Sequence, residues 1–575
     1  MAKRLAISLG QYSDAGVKPE NQDFHGAIIP DGNDLQTKGI AIAIADGIST
    51  SANGAAASST AVKSFLTDYY CTPESWSVKT AGERVVSAAN SWLFAQNGRV
   101  LSDSERERCH VTTFSALIVK SRTAHLFHVG DTRISRISGQ SVEPLTTDHR
   151  LTLSSHESYL SRALGVEAAV EIDYARTSLQ PHDIFLLTTD GIHDHLDNAA
   201  IIGTIAAHAS NLDEAARILA QTALANGSTD NLTIQIVRID ALADGDFSDV
   251  SSRDNDLPPA PVLEPPAQFE GYDILRQLHT SSRSHIYLAR DSETETLVAL
   301  KVPSIDMRDD ARYLARFALE EWAARRVNNA HIIKAGTAIR PRQHIYSVAE
   351  YIEGTTLAQW MLDHPAASLT DMRAFVSQIA TGLQALHRKE MCHQDLRPHN
   401  IMIDGNNVAK IIDLGSIWIA GVDEQASGLV TDEILGTHQY TAPERFLGAA
   451  PTSHADLYSL GVIAYQLLTG KLPYGTKVAA ADSRAKQKKL KYRPAAASNE
   501  DIPAWVDAAI AKAVHPDPAQ RYEYLSEFVF DLSNPNRQLQ LPGKAPLLER
   551  NPVLKWQMLS AVLALLLAIS LIWRN

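Results

Sequence analysis

The chain has 575 residues and carries 53 lysines and arginines against 66 aspartates and glutamates, a formal charge of −13. That length exceeds what one hydrophobic core fills and suits two domains, and the acidic balance gives no reason to expect nucleic acid as a partner. Cys71, Cys109 and Cys392 are far apart, lack metal-ligand or redox spacing, and fit a reducing compartment.

No apolar export segment follows Lys3-Arg4, so the reading places the soluble part in the cytosol. Apolar runs at 39–45, 114–119, 124–129, 184–187 and 232–239 predict strands, and alanine-rich stretches at 55–70 and 213–225 predict helices. Asp46-Gly47 ends the first run, Asp131 follows the 124–129 strand, Asp190-Gly191 ends another, and Asp230 precedes the last. One Asp-Gly pair alone means only a turn. Carboxylates that terminate several buried strands can converge on one sheet edge, where they repel unless divalent cations neutralise them.

From 241 to 269 five aspartates give way to five prolines, the composition of a solvated linker. Beyond it, runs at 272–278, 285–289 and 296–302 predict consecutive antiparallel strands, followed by helices over 311–327, 371–388, 454–469 and 503–514. A small strand lobe and a larger helical lobe leave a cleft between them. A second linker, 534–553, leads to 554–575. There Trp556 to Trp573 is uncharged, 18 residues long and bracketed by Lys555 and Arg574. As a helix it measures about 27 Å, and it reads as a membrane anchor.

The segments Lys18-Pro-Glu-Asn-Gln-Asp23, Ala45-Asp-Gly47, Val129-Gly-Asp-Thr-Arg133, Thr188-Thr-Asp-Gly191 and Gly227-Ser-Thr-Asp-Asn231 resemble the metal-dependent serine/threonine phosphatases of the PP2C class over about residues 5–240. The resemblance implies that Asp46 bridges two Mn²⁺ or Mg²⁺ ions. It also implies that the Gly47 carbonyl adds a ligand, Asp190 and Asp230 hold the far side, Asp23 assists, and Asp131 with Asp190 faces a third, looser metal. Such a pair acidifies a bridging water, aligns it with phosphorus and neutralises the developing charge. Two positions depart from the family: Lys18 stands for a phosphate-gripping arginine, giving a point charge without a fork, and Gln22 replaces a carboxylate.

In the second half Lys301 ends an apolar strand, Glu320 (rather than Glu321) is its expected partner, and Asp395, Asn400 and Asp413 follow in order. His393-Gln-Asp-Leu-Arg-Pro-His-Asn400, Asp413-Leu-Gly415 and Gly436 to Glu444 resemble the catalytic loop, magnesium-binding turn and activation-segment end of the eukaryotic-type protein kinases, over about 270–530. The resemblance implies that Asp395 orients the attacking hydroxyl, Asn400 and Asp413 hold Mg²⁺, Lys301 positions ATP, and Arg397 stabilises the transferred phosphate from the usual lysine position. The glycine-rich loop departs: His279, Ser281 and Ser284 occupy the glycine positions, with the two serines left to contact nucleotide. Gln394 replaces the arginine that grips a phosphorylated activation segment, where Thr431 and Thr437 are modifiable.

The expected whole is therefore multidomain α/β and α+β. A PP2C-like α/β-sandwich (1–240) precedes a bilobal kinase fold (270–533) and a C-terminal transmembrane helix. Phosphoproteins and proteins, the chain itself included, are the expected substrates. The membrane is the expected attachment, with both domains on the cytosolic side of the inner membrane. The competing reading is a membrane-attached phosphatase governed by a non-catalytic kinase-like domain.

Overall fold

The structure is a computed structural model that describes residues 4–48, 51–98, 109–154, 157–242, 257–308, 310–336, 341–365, 367–423, 439–536, 538, 539 and 560. Thr431 and Thr437 lie outside them. Among the described residues twelve strands build the N-terminal domain: β1 (Ala6–Asp14), β2 (Asp23–Ile28), β3 (Ile40–Asp46), β4 (Phe114–Lys120), β5 (Thr123–Val129), β6 (Arg133–Ser138), β7 (Ser141–Pro144), β8 (Arg150–Ser154), β9 (Glu157–Leu160), β10 (Asp173–Ser178), β11 (Ile184–Thr188) and β12 (Leu232–Ala241). They form two five-stranded antiparallel sheets, ordered β1-β12-β11-β6-β7 and β10-β5-β4-β3-β2, with β8 and β9 as a separate hairpin.

The period of two in β3 explains the layering. Ile40, Ile42 and Ile44 point at the other sheet and pack with Leu117, Phe185, Leu187 and Val237, each contributing about 1.5–3 kcal/mol through burial. The alternating Ala41, Ala43 and Ala45 face outward, and their small side chains let the helices Gly54–Cys71 and Val78–Asn97 lie close against the sheet through Phe65, Tyr69 and Val85. Leu212–Ala225 covers the opposite face over Ile234 and Ile236. The 78–97 helix was not expected from the pattern, although Ser77 caps it by accepting from the Thr80 amide.

The C-terminal domain opens with β13 (Ala267–Phe269), β14 (Tyr272–Thr280), β15 (Ser284–Asp291), β16 (Leu297–Pro303) and β17 (Ser347–Glu350), which form one antiparallel sheet in that order. A helical lobe follows around Leu369–His387 and Ser453–Thr469, and one core joins both to Leu319 and Ala323 of the helix Ala311–Arg326. The segment from 257 to 269 differs from the solvated linker expected there. Ala260, Leu263 and Phe269 are buried in the small lobe, and the Ile345 amide donates to the Pro258 carbonyl. Proline-rich composition concealed three apolar anchors.

The expected transmembrane helix is corrected. Among the described residues no helix is long and apolar enough to cross a membrane, and the membrane partner, tail-anchored topology and membrane localisation that rested on it fall with it. Of 554–575 only residue 560 is described. The stretch was marginal on length alone, since about 27 Å of helix falls short of a hydrocarbon core of about 30 Å.

Candidate functional sites

In the first domain strand pairing performs the convergence. β2 and β3 run antiparallel with Asp23 opposite Asp46. Asp131 stands between β5 and β6, Asp190 opens a single helical turn after β11, and Asp230 precedes β12. Burial first, then the charges of Asp23, Asp190, Asp131 and Asp230, hold the Asp46 carboxyl well above the usual range. Burial pushes Asp23 up to about 7 against the hydrogen bonds it accepts. Asp190 is pushed up to about 6 by burial and by its neighbours Asp131 and Asp230. Asp131 is raised by burial despite Arg150 beside it.

Two buried oxygens of this cluster, Asp23 Oδ1 and Asp190 Oδ1, have no hydrogen-bond partner among the described residues. Crowded acceptor-only oxygens of this kind are the donor set a hard divalent cation takes, and the residues fit Mn²⁺ or Mg²⁺. Gly47 is required at its position, because a Cβ there would lie 2.3 Å from the Gly54 carbonyl oxygen. Gln22, where the family has a carboxylate, is structural instead: its amide donates to the Ser51 carbonyl (3.0 Å) and its backbone N–H to Asn231 Oδ1 (2.9 Å).

Among the described residues, Lys18 and Arg150 bring positive charge to the cluster. Lys18 forms an ion pair with Asp230. Arg150, at the start of β8, escaped the sequence reading; its Nε donates to Asp131 (2.6 Å) and its terminal nitrogen to Asp190 (2.5 Å). No motif marks it, since the turn of chain that brings it to Asp131 is visible only in the fold.

In the second domain β16 presents Lys301, whose Nζ lies 2.6 Å from Glu320 Oε2 and 3.6 Å from Asp413 Oδ1. Glu320 is thus the partner, as the sequence suggested. Glu321, turned by about 100° around the helix, pairs with Arg325 (2.5 Å) and Arg342 (2.7 Å). Burial disfavours the Lys301 ammonium, but Asp413 and Glu320 outweigh it and hold the amine charged. Burial raises Glu320. It opposes charge on Asp413 too, yet Lys301 and the Gly415 amide keep that carboxyl below its usual range.

Asn400 Nδ2 donates to the Asp395 carbonyl (2.8 Å) and to Asp395 Oδ2 (3.2 Å), which fixes the carboxylate, and Arg397 Nε stands 3.8 Å from the same oxygen. The loop is anchored from below by buried Asp456, which accepts from the backbone amides of His393 and Gln394. Gln394 bridges Arg445 (3.0 Å) and the Ser416 carbonyl (3.1 Å), so it takes a neutral structural part where an arginine was expected. A carboxylate at Asp413 and an amide at Asn400 supply oxygen donors that suit Mg²⁺.

The glycine-free loop closes by its own chemistry. Ser281 Oγ accepts from the amides of Ser284 (3.1 Å) and Arg283 (3.3 Å) and donates to the Ser284 carbonyl (3.1 Å). The hydroxyl that sequence reasoning reserved for nucleotide therefore stabilises the β14–β15 turn, and Ser284 is buried.

Residues 12–232 match the family model described as Protein phosphatase 2C, and residues 272–528 match that of the protein kinase domain. Serine/threonine-protein kinase PrkC of Bacillus subtilis is 30% identical over 265 residues, 45% of this chain and 40% of that protein. Serine/threonine-protein kinase PknB of Mycobacterium tuberculosis is 33% identical over 270 residues, 45% of this chain and 42% of that protein. The chain thus spans 40% and 42% of the lengths of these two curated relatives. Among solved structures, PppA, a key regulatory component of T6SS in Pseudomonas aeruginosa, is similar at 23% identity and a TM-score of 0.34, covering 41% of this chain and 99% of that one. The Mycobacterium tuberculosis PknI kinase domain is 25% identical with a TM-score of 0.38, covering 47% and 99%.

Proposed function

We propose that this chain, which carries a PP2C-type phosphatase domain followed by a eukaryotic-like serine/threonine kinase domain, both removes phosphate from and adds phosphate to serine and threonine side chains of proteins. The observation that carries the reading is the presence on one polypeptide of a buried carboxylate cluster with two oxygens unpartnered among the described residues and of the line Glu320, Lys301, Asp413 at 2.6 and 3.6 Å. Domain limits of 1–240 and 270–533 follow from the same assignment.

In the phosphatase domain, Asp46, Asp190 and Asp230 with the Gly47 carbonyl are the residues to hold Mn²⁺ or Mg²⁺, with Asp23 supporting and Asp131 facing a looser ion. The bound ions supply an acidified water and shield phosphate charge. Lys18, which pairs with Asp230, draws in the phosphate as a point charge. In the kinase domain Asp395, fixed by Asn400, accepts the proton of the attacking hydroxyl. Lys301, restrained by Glu320, orients ATP phosphates, Asn400 and Asp413 hold Mg²⁺, and Arg397 lies near enough to Asp395 to meet the transferred group. Ser284 and the turn closed by Ser281 cover the nucleotide.

A second reading, a phosphatase governed by a catalytically weak kinase-like domain, draws on the glycine-free turn, whose serine hydroxyl is already engaged. The full chain separates them. Phosphate release from a phosphothreonine peptide should require Mn²⁺ or Mg²⁺, and label from ATP should reach a protein substrate with Mg²⁺. Release without added metal after chelation refutes the phosphatase assignment, and absent transfer favours the second reading.

A further inference from the structure

The two domains meet on a polar, closely fitted surface formed by the turn from Thr72 to Thr80, with Lys120 at the end of β4. On the kinase side lie Arg326, the last residue of the 311–326 helix, and a two-stranded pair, Met391–Cys392 with Trp418–Ile419. Glu390 and Gly421 flank that pair, and the Ala420 amide donates to the Glu390 carbonyl (3.0 Å).

Each contact is specific. The Glu390 carboxylate accepts from the Ser77 amide (2.7 Å) and the Thr80 hydroxyl (2.6 Å), at the N-terminus of the Val78–Asn97 helix. That 20-residue helix has no acidic residue in its own first turn, so the kinase domain supplies the negative charge its macrodipole favours. Lys120, 2% exposed, donates to the Gly421 carbonyl (2.7 Å), and the Gly421 amide returns a bond to the Ser75 carbonyl (3.0 Å). Trp76 Nε1 donates to the Arg388 carbonyl (3.1 Å). The Arg326 guanidinium binds Glu74 at 2.6 and 3.1 Å. Backbones approach closely at Gly421, where a Cβ would lie 2.6 Å from the Trp76 carbonyl oxygen and 2.8 Å from that of Glu74.

We propose that the phosphatase domain is also a docked regulatory partner of the kinase domain in its own chain, clamping the helix that carries Glu320 and the strand pair that joins the catalytic loop to the segment after Asp413. Arg326 lies six residues beyond Glu320 on one rigid helix, about 9 Å along its axis. Gly421 lies eight residues after Asp413, with Trp418–Ile419 pairing to Met391–Cys392 between them. Holding Arg326 and Gly421 from one surface therefore stabilises the arrangement in which Lys301 meets both Glu320 and Asp413. The consequence for rate rests on the kinase reading above; the docking and its stabilising effect do not.

The clamp leaves the other centre alone. β3 begins at the docking end, where Ile40 pairs with Val119 next to Lys120, and finishes at Asp46. Seven residues of strand place the carboxylate cluster about 20 Å away. The carboxylate cluster thus lies at the end of β3 remote from the docking surface, an arrangement suited to substrates on another molecule.

Full-length Gly421→Ala tests this, because the three atoms nearest the added methyl all belong to the phosphatase domain. Amide hydrogen exchange should accelerate at least tenfold at 75–80 and, through coupling, in 313–326 and 413–419. ATP-dependent transfer should fall at least fivefold, with metal-dependent phosphate release unchanged. Glu390→Gln, which keeps shape and removes the charge, should move the same amides less. Unchanged exchange at 75–80 in both variants would overturn the docking. Faster exchange there with 313–326 and 413–419 unaffected would overturn the coupling. A wild-type chain without transfer would fail the kinase assignment alone, since the exchange readout does not depend on it.

Discussion

Lys301→Met removes the one ammonium shared by two carboxylates of the proposed ATP site. At 3.6 Å from Asp413 Oδ1, a unit charge in a surroundings of effective dielectric about 20 is worth roughly 4–5 kcal/mol. The Asp413 side chain is 39% exposed, however, and solvent screening reduces that to about 1–2 kcal/mol. Without Lys301 the Asp413 carboxyl loses the charge that holds it low, so its oxygens bind a divalent cation less well near neutrality. Glu320, already raised by burial, loses the partner at 2.6 Å and takes up a proton. The expected result is about 5- to 30-fold weaker Mg²⁺–nucleotide binding by calorimetry, with a larger fall in transfer because alignment is lost as well. Binding and transfer both within twofold of wild type would refute the electrostatic role given to this triad.

Arg521→Ala leaves buried Glu444 without its guanidinium at 2.6 and 2.7 Å and removes a donor to the His515 and His454 carbonyls. It should cost the kinase domain about 3–5 kcal/mol in urea unfolding, and a loss below about 1 kcal/mol would show that the pair is screened. Without divalent cations, the folded state holds protons on Asp23 (about 7) and Asp190 (about 6) that the unfolded chain has already released. Stability should therefore decline as pH rises from about 4 to about 7, by a few kcal/mol. Mn²⁺ should restore it at pH 8, and a flat pH profile in chelator would contradict the buried cluster. Ser281→Ala removes the hydroxyl that closes the β14–β15 turn; KM for ATP should rise severalfold with kcat less affected, and an unchanged KM would show that the turn does not cover nucleotide.

Much of both sites was legible because their chemistry is local in sequence. Asp395, Asn400 and Asp413 sit at spacings that only a loop and a turn can serve, and the structure joins Asn400 to Asp395 and sets Asp413 beside Lys301. Asp46, Asp131 and Asp190 were marked by the end of an apolar run and Asp230 by the start of one, where a strand leaves or enters the sheet, whereas Asp23 was marked by its motif alone. The choice between Glu320 and Glu321 was a matter of helical phase. Arg150 was hidden because it has no motif, whereas Lys18 was marked by its motif and the fold adds its ion pair with Asp230. Ser281 looked like a glycine substitute, and in the fold its hydroxyl bonds to the amides of Arg283 and Ser284. The interdomain contacts of Glu74, Lys120, Glu390 and Gly421 join positions 252 to 346 residues apart, and no periodicity or composition signals such a surface. The C-terminal apolar stretch lies outside the described residues except for residue 560, and among those residues no helix is long and apolar enough to cross a membrane.

The claim that one polypeptide holds two separate phosphate-handling centres is tested most directly by assaying both reactions in wild type, Asp46→Asn and Asp395→Asn full-length protein side by side. Asp46→Asn should lose Mn²⁺-dependent phosphate release at least 100-fold while retaining ATP-dependent transfer, and Asp395→Asn should show the reverse. Loss of both reactions in either variant, or of neither in both, would contradict it.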